Sequence, residues 1–264
     1  MIEWTMTIAV ASQKGGTGKT TTSISLAAGL AHKGKKVLLI DVDSQANSSK
    51  VLLPDYRNIK KEQTVYHTII NRQPLTVHPT TVKHLDLIPA HILLSSTDVE
   101  LTVAKDHREA RLKRELDPIK GNYDFIFIDC PPALGWLTLN ALTASDKVIV
   151  VVSPGYFEVE AIDQIADTIR ETKQDYNPDL ELVGLLFTMT DQTVNTSTSL
   201  SLLKQMYPSI LLPRHIPRNT DVRDAHYSHQ DIFSFNPKAY AAIAYDKLIH
   251  ELFLPIEHAV WKRK

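Results

Sequence analysis

The chain has 264 residues, a formal net charge of −1 and 43% apolar residues, enough for a sizeable core. The near-neutral charge argues against a strongly basic nucleic-acid binder, although a local basic face remains open. A single cysteine, Cys130, excludes a disulfide framework, and we find neither an apolar run of 18 residues nor a signal peptide. We therefore expect one domain over residues 1–264, in a cytoplasmic protein that neither spans a membrane nor is exported.

The strongest local signal lies at residues 12–22. An apolar run at 8–11 predicts a buried strand, and residues 21–32 carry apolar residues at helical spacing before a Lys-Gly stop. Between them stands Lys-Gly-Gly-Thr-Gly-Lys-Thr, a variant phosphate loop in which neither Ser12 nor Gln13 supplies the first glycine and Lys14 adds a second lysine. A strand, a glycine loop and a helix start form a nest of N–H groups, which predicts a polyphosphate site.

The residue types in this loop suit phosphate chemistry. Glycines let the backbone approach oxygens and adopt positive φ. Lys19 would neutralise the β- and γ-phosphates, and the Thr20 hydroxyl would bind Mg²⁺. The alternative is a glycine-rich turn that binds nothing. The predicted nucleotide-binding residues here are Gly15, Gly16, Thr17, Gly18, Lys19, Thr20 and Thr21.

Two further apolar runs end in acid. Residues 37–41 end at Asp41, with Asp43 two residues on, and residues 123–129 end at Asp129. Ligands of open α/β sheets bind at the carboxyl ends of the strands, and a carboxylate there can hold a magnesium-bound water. In the alternative interpretation Asp41 and Asp43 merely cap the next helix. Cys130 follows directly, and a small buried thiol is favoured over a nucleophile because no His or Asn neighbours it.

The other elements alternate along the chain. The patterns predict helices over 65–70, 105–120, 137–144, 156–176, 197–207 and 239–258, and strands over 85–89, 147–152, 182–189 and, at an edge, 210–212. Such alternation predicts an α/β fold of the P-loop NTPase type, with a doubly wound, mostly parallel sheet and helices on both faces. Residues 254–264 form a short apolar and basic tail.

The lysine-rich loop resembles the deviant Walker A motif of the ParA/MinD ATPases, and residues 6–253 are most similar to ParA/Soj partition ATPases. Residues 41–47 are similar to the family's Asp-x-Asp-Pro-Gln-x-Asn, with Ser44 in place of proline. The Asp-Cys-Pro-Pro-Ala-Leu-Gly sequence at 129–135 and Ile-Pro-Arg-Asn at 216–219 also match.

This resemblance implies roles for particular residues. Lys14 would reach across a dimer interface to the partner's ATP and act in catalysis with Lys19. Asp43 would orient the attacking water. Mg²⁺ would be held by Thr20, Asp43 and Asp129, and the adenine of ATP would be framed by Pro217, Arg218 and Asn219.

The resemblance also implies a function. It predicts an ATPase, weak without a partner, that dimerises with ATP, binds DNA non-specifically and responds to a ParB-like adaptor. This switch would partition plasmid or chromosome DNA, or position another large cargo, in association with the nucleoid. No helix-turn-helix extension precedes Met6, so operator-specific repression is not expected.

The DNA-contact residues depart from the family pattern. Asp221 and Thr193 stand where Soj-like members carry arginine. The possible substitutes are Lys204, Arg214, Arg223, Lys238 and Lys247. A MinD-like membrane-associated ATPase is the alternative function, although the proline and acid in the tail make membrane binding the weaker expectation. A metabolic enzyme similar to dethiobiotin synthetase is a further alternative, from which the motifs at 129–132 and 216–219 point away.

Overall fold

The computed structural model describes residues 5–104 and 106–254. Within these residues, one seven-stranded sheet is built from β1 (Met6–Ala11), β2 (Val37–Asp41), β3 (His78–Pro79), β4 (Leu85–Ile88), β5 (Phe125–Asp129), β6 (Lys147–Val152) and β7 (Glu181–Phe187). The strand order is β3-β4-β2-β5-β1-β6-β7, and every neighbouring pair is parallel except β3 with β4. The central strands therefore all present their carboxyl ends at one edge.

Helices connect and cover these strands. They are α1 (Lys19–His32), α2 (Asn47–Leu52), α3 (Val65–Asn71), α4 (Thr97–Thr102), α5 (Arg111–Lys120), α6 (Trp136–Thr143), α7 (Tyr156–Asp175), α8 (Val194–Met206), α9 (Thr220–Tyr227), α10 (Ile232–Phe235) and α11 (Tyr240–Leu252). In the described part of the chain, no helix combines the length and apolar character needed to cross a membrane.

The sheet is buried on both faces, and successive strand residues alternate between two cores. In β1, Ile8 and Val10 pack with α1, α2 and α11, whereas Ala9 and Ala11 face the side covered by α3 to α8. Strands buried on both faces read as continuous apolar runs, which is why β1, β2 and β5 were recognisable in the sequence. The predicted fold class, doubly wound and mostly parallel with helices on both faces, is confirmed.

Several predicted boundaries were wrong. Residues 210–212 form no strand; Leu211 makes only an isolated bridge to Leu185, and Pro213 then removes the next N–H donor. The helix expected over 105–120 begins at Arg111, because His107 adopts a φ of +40° that breaks a helix. The closing helix ends at Leu252, and the predicted tail lies outside the described residues apart from Leu254.

Helix α1 packs against α10 and α11 at Gly29. A Cβ atom built there would overlap Ile249 Cδ1 and lie 2.9 Å from Phe233 Cε2. Ile249 is fully buried, so it has little room to move. Nearby, a buried 2.9 Å hydrogen bond joins the Thr22 and Tyr245 hydroxyls. The close approach of α1 and α11 therefore depends on the absence of a side chain at Gly29.

Replacing Gly29 by alanine is expected to lower the free energy of unfolding by about 1–3 kcal/mol through overpacking. This is the opposite sign to the gain of about 1 kcal/mol that alanine brings to an unconstrained helix position. Denaturant titration measures the difference. The control is Gly121→Ala, at a φ of −65° with nothing within 4 Å of the added Cβ, where a change within about 0.5 kcal/mol is expected. An unchanged or raised stability in Gly29→Ala would contradict the packing argument.

Candidate functional site

The loop between β1 and α1 has the open, left-handed geometry that phosphate binding requires. Gly16 and Gly18 have φ values of +77° and +87°, a region that favours glycine. A Cβ at Gly15 or Gly16 would meet nothing within 4 Å, so this face of the loop is accessible to a ligand. The first turn of α1 contains no acidic residue, and its N-terminus therefore keeps its positive electrostatic character.

The residue that follows β7 anchors the phosphate loop. This residue is Thr188, whose hydroxyl donates a 2.6 Å hydrogen bond to the Thr17 carbonyl and lies 3.5 Å from the position that a Cβ atom on Gly18 would take. The Thr17 hydroxyl is itself buried and has no hydrogen-bond partner among the described residues. Because buried polar groups are normally paired, this hydroxyl is suited to a ligand oxygen.

The two lysines of the loop lie in different environments. Lys19 is only 6% exposed, and its charge opposes the rise in the pKa of Asp129. Lys14 is exposed, and its backbone N–H donates a hydrogen bond to the Ser12 hydroxyl oxygen at 3.3 Å. The loop thus directs one lysine into the site and presents the other at the surface.

Asp129 joins both flanking helices to the sheet. It is fully buried at the end of β5 and accepts hydrogen bonds from the Ser23 hydroxyl at 3.0 Å and the Ser48 hydroxyl at 2.7 Å. The Thr20 side chain lies near enough to help lower the pKa of Asp129. The predicted magnesium residues Thr20 and Asp129 are therefore neighbours.

Asp41 lies beside Asp129 in the parallel register of β2 and β5, and it is also fully buried. It accepts hydrogen bonds from the Ser49 N–H at 2.9 Å, the Ser49 hydroxyl at 2.7 Å and the Asp43 N–H at 3.1 Å. The Ser49 hydroxyl in turn accepts from the Ala90 N–H at 3.0 Å. Asp41 thereby holds the backbone of Asp43 and the first turn of α2 in place. Its bond to the Ser49 N–H is of the kind expected in the alternative interpretation, in which Asp41 caps the next helix.

Burial raises the pKa of both carboxyls. Desolvation, reinforced by the charge of Asp129, raises the pKa of Asp41 to about 8. Desolvation also raises the pKa of Asp129, against the Lys19 charge and the nearby hydroxyls of Ser48, Thr20 and Ser23. The pair resists being doubly ionised unless further positive charge enters the site, and a divalent cation would supply it.

Asp43 lies at the rim of this cluster. It is 8% exposed and accepts from the Gln45 N–H at 2.9 Å. Its charge and that of Asp129 both reach the Cys130 thiol, whose pKa is raised chiefly by burial. Cys130 is fully buried, as predicted, and its raised pKa keeps it a neutral thiol.

The predicted adenine segment follows the next strand end. Thr190, just beyond β7, pairs with Pro217, and its carbonyl accepts from the Arg218 N–H at 2.9 Å. The Asn219 side chain accepts from the Asp221 N–H at 3.0 Å and caps α9. Pro217 and Arg218 therefore pair with Thr190, which lies two residues after Thr188, the residue that contacts the phosphate loop.

The donor set fits a nucleotide-bound magnesium. Over residues 5–104 and 106–254, no group of three His, Cys, Asp or Glu side chains could enclose a metal by itself. Magnesium commonly combines one or two carboxylates with phosphate oxygens and water, and Thr20, Asp43 and Asp129 supply oxygen ligands of that kind.

The fold brings together the predicted site residues Lys19, Asp43 and Asp129 around Cys130 and leaves Lys14, predicted to reach a partner's ATP, exposed on the loop. Sequence patterns missed the hydroxyl donors Ser23, Ser48, Ser49 and Thr188. The one available signal was Ser23, which lies four residues after Lys19 and so on the same helix face.

A phosphate loop at the carboxyl edge of a doubly wound parallel sheet, with buried acids ending the adjacent strands, defines a P-loop NTPase. A family model described as AAA domain matches residues 5–182. The chain is 40% identical to the sporulation initiation inhibitor protein Soj of Bacillus subtilis, over 93% of this chain and 97% of that protein. It is also 40% identical to the chromosome partitioning protein ParA of Myxococcus xanthus, over 79% and 75% of the two chains.

Solved structures agree in fold. Cobyrinic acid a,c-diamide synthase from Mycobacterium smegmatis, with bound ATP analog and magnesium, has a TM-score of 0.81 and 32% identity over 97% of each chain. A plasmid partition protein from Borrelia burgdorferi has a TM-score of 0.71 and 28% identity, over 87% of this chain and 96% of that one. The chain belongs to the ParA/Soj family of partition ATPases, within the MinD/ParA superfamily, which confirms the predicted family and ATPase class.

The Asp41 carboxyl is expected to lower the free energy of unfolding of the nucleotide-free protein as the pH rises from about 5 to about 6.5. The unfolded chain releases the Asp41 proton near the ordinary pKa of 3.8, whereas the folded chain holds it until about pH 8. Within this window the unfolded state binds fewer protons, so the fold loses up to about 1.4 kcal/mol per pH unit from this group. Denaturant titrations across the window measure the slope.

Asp41→Asn should remove this contribution to the slope, whereas Asp55→Asn, at an exposed loop carboxylate, should keep it. The pKa of His32 is raised by its hydrogen bond to Asp231, and the stability this adds is lost only above the ordinary value of 6.5, outside the window. Burial lowers the pKa of His215 and His226, so these two groups add stability as the pH rises toward 6.5 and oppose the contribution of Asp41. The difference in slope between the wild type and Asp41→Asn isolates Asp41, and equal slopes in the two proteins would contradict the assignment.

Proposed function

We propose that this protein is an ATP-dependent dimerising switch that moves DNA. Each chain binds ATP and Mg²⁺, two chains close face to face over both nucleotides, and the dimer binds DNA non-specifically. A ParB-like adaptor stimulates hydrolysis and releases the dimer, which partitions plasmid or chromosome DNA or positions another large cargo in the nucleoid region of the cytoplasm. The observation that carries this proposal is the division of the loop lysines into a buried Lys19 and an exposed Lys14.

The nucleotide assignment is supported by the loop and by the M. smegmatis relative, whose structure contains an ATP analog and magnesium. The orphaned Thr17 hydroxyl, the open glycines and the buried Lys19 suit the phosphates. Thr20 and Asp129 would hold the magnesium that accompanies the phosphates. Asp43, at the rim, would orient a water for attack on the γ-phosphate.

Lys14 supports the dimer. An exposed lysine on a phosphate loop can contact a second nucleotide presented from outside, whereas the buried Lys19 serves the chain's own phosphates. In a closed dimer each Lys14 stabilises the charge that develops on the partner's phosphoryl group. The active site is then complete only between two chains, which couples hydrolysis to dimerisation.

The DNA surface uses basic residues outside the site. Arg214 forms an ion pair with Glu251 at 2.5 Å, and Arg223 lies 3.8 Å from Asp224, so each is partly neutralised. Lys204, Lys238 and Lys247 are exposed, and Lys238 and Lys247 make no ion pair within the described residues. Dimerisation doubles the number of phosphate contacts, which explains how a near-neutral chain can bind DNA only in the ATP state.

Asp43→Ala is expected to bind MgATP and remain dimeric while the rate of phosphate release falls by about 10²–10⁴-fold, because the water is no longer oriented. Lys14→Gln should bind MgATP as a monomer. Light scattering with and without MgATP, with phosphate release on the same samples, measures both.

An Asp43→Ala protein that stays monomeric with MgATP would refute the dimer and favour a metabolic enzyme. A dimer that ignores DNA but binds anionic liposomes would favour the MinD-like alternative.

In the Asp43→Ala background, Lys238→Gln with Lys247→Gln should weaken binding to any DNA sequence and reduce the salt dependence of affinity by about one unit of slope per lysine. The matched control is Lys83→Gln, an exposed lysine in the loop before β4. A gel shift at several salt concentrations measures the slope. Equal slopes for both variants would exclude Lys238 and Lys247 from the DNA surface.

A further inference from the structure

A groove with a volume of about 390 Å³ lies on the sheet face covered by α4, α6 and α7, away from the phosphate loop. Its walls carry the aromatic rings of Trp136 and Tyr176 and the carboxylates of Asp98, Glu171 and Asp175. No lysine or arginine is among the described residues that line it. The groove is therefore negatively charged with aromatic walls.

The acidic wall belongs to a stripe along α7. Asp163, Asp167, Glu171 and Asp175 follow one another at intervals of four residues, a spacing that brings like charges together and destabilises an isolated helix by about 0.2–0.5 kcal/mol per pair. The Tyr207 hydroxyl donates to Asp163, and Arg170 pairs with Asp167. In the described part of the chain, the side chains of Glu171 and Asp175 make no hydrogen bond or ion pair. The uncompensated half of the stripe is the half that faces the groove.

An exposed apolar surface adjoins the groove. Asp98 and Thr102 of α4 line the groove, and each is followed in the sequence by a valine. Val99 and Val103 therefore lie side by side on the neighbouring face of α4 and its C-cap. The two valines, one helical turn apart, are 73% and 77% exposed. Neighbouring exposed apolar side chains of this kind suit an interaction surface.

The groove wall is continuous with the loop that follows Asp129. The Trp136 N–H donates a 2.8 Å hydrogen bond to the Asp98 carboxylate, and the Trp136 ring N–H donates to the Thr102 hydroxyl at 3.1 Å. A Cβ on Gly135 would overlap the Asp98 carboxylate, so α4 and the end of this loop are in close contact. A displacement of α4 would therefore move Gly135 and Trp136, at the end of this loop.

A second connection runs along α7 to the phosphate loop. Thr168 lines the groove and donates to the carbonyl of Gln164, one turn earlier, at 3.1 Å. The Gln164 side chain accepts a hydrogen bond from Gln13, the residue before Lys14. The same helix thus contacts the groove and the segment that carries the exposed lysine.

We propose that the groove between α4, α6 and α7 docks a segment of a partner protein in which a lysine or arginine is flanked by apolar residues. The cation enters between Trp136 and the carboxylates of Glu171 and Asp175, and the apolar neighbours cover Val99 and Val103. Trp136 already accepts one cation, since the Arg108 guanidinium lies 4.1 Å from its ring centre. Charge complementarity selects the segment, and docking changes ATP hydrolysis through the two connections. This regulatory role rests on the proposed ATPase switch.

The first test needs no knowledge of the partner. Random 12-residue peptides displayed on phage are selected on the full-length protein with MgATP, and an enriched peptide is synthesised. Its affinity is measured by fluorescence in a Trp4→Phe, Trp261→Phe variant, which leaves Trp136 as the only tryptophan of the three in the sequence. Enriched peptides should carry lysine or arginine beside apolar residues and should change the Trp136 emission.

Matched variants locate the site. Glu171→Gln with Asp175→Asn should weaken peptide binding by about tenfold, equivalent to about 1.4 kcal/mol. Both residues are exposed and lack internal bonds to described residues, so the fold should be unaffected. Asp167→Asn, on the same helix and paired with Arg170, should change the affinity less than about twofold. Equal losses in both variants, or enrichment of peptides without basic residues, would overturn the proposal.

Two further outcomes are decisive. If deletion of residues 255–264 raises peptide affinity tenfold, the chain's own basic tail occupies the groove and the partner proposal is wrong. If the peptide binds with the expected carboxylate dependence but leaves phosphate release unchanged, the coupling is wrong. Should MgATP fail to dimerise the chain while the peptide still binds in this way, the proposed switch fails and the docking site stands.

Discussion

The buried Asp129 carboxylate is the interaction on which the site depends. A carboxylate removed from water is costly unless it is hydrogen-bonded, and here the donors come from Ser23 of α1 and from Ser48 of α2. The hydrogen bonds to this one carboxylate therefore position the N-termini of α1 and α2 at the end of β5. The phosphate loop precedes α1 and Asp43 precedes α2, so these hydrogen bonds also fix the position of Asp43 relative to the phosphate loop.

The second constraint is the pairing of Asp129 with Asp41. Two fully buried carboxyls in neighbouring strands raise each other's proton affinity, and the nucleotide-free site holds a proton that ordinary aspartates would release. Cations entering with a nucleotide would favour the ionised pair. Ligand binding would then add to the stability of the fold, because a ligand that binds only the folded state shifts the unfolding equilibrium.

The surfaces around this site have different chemistries. Lys14 faces outward from the phosphate loop, whereas the groove on the α7 side combines unpaired carboxylates with exposed valines. Gln164 and Trp136 connect that groove to the segments on either side of the nucleotide site. A partner that binds there would contact elements that also flank the candidate nucleotide site, and such shared elements are needed for regulation at a distance.

The sequence by itself determined the fold class and the strands β1, β2 and β5, and it predicted Lys19, Thr20, Asp43 and Asp129 as candidate site residues. These follow from local rules: doubly buried strands are continuous apolar runs, and glycines mark a loop that needs positive φ. Only the tertiary structure decided that Ser49 joins Asp41 to Ala90, that Asn219 caps a helix, and that residues 210–212 make a single bridge. It also created the groove from Asp98, Trp136 and Glu171, which are separated by 35 residues or more along the chain. Such contacts have no periodic signal, because they depend on how packed elements meet and not on the residues adjacent in sequence.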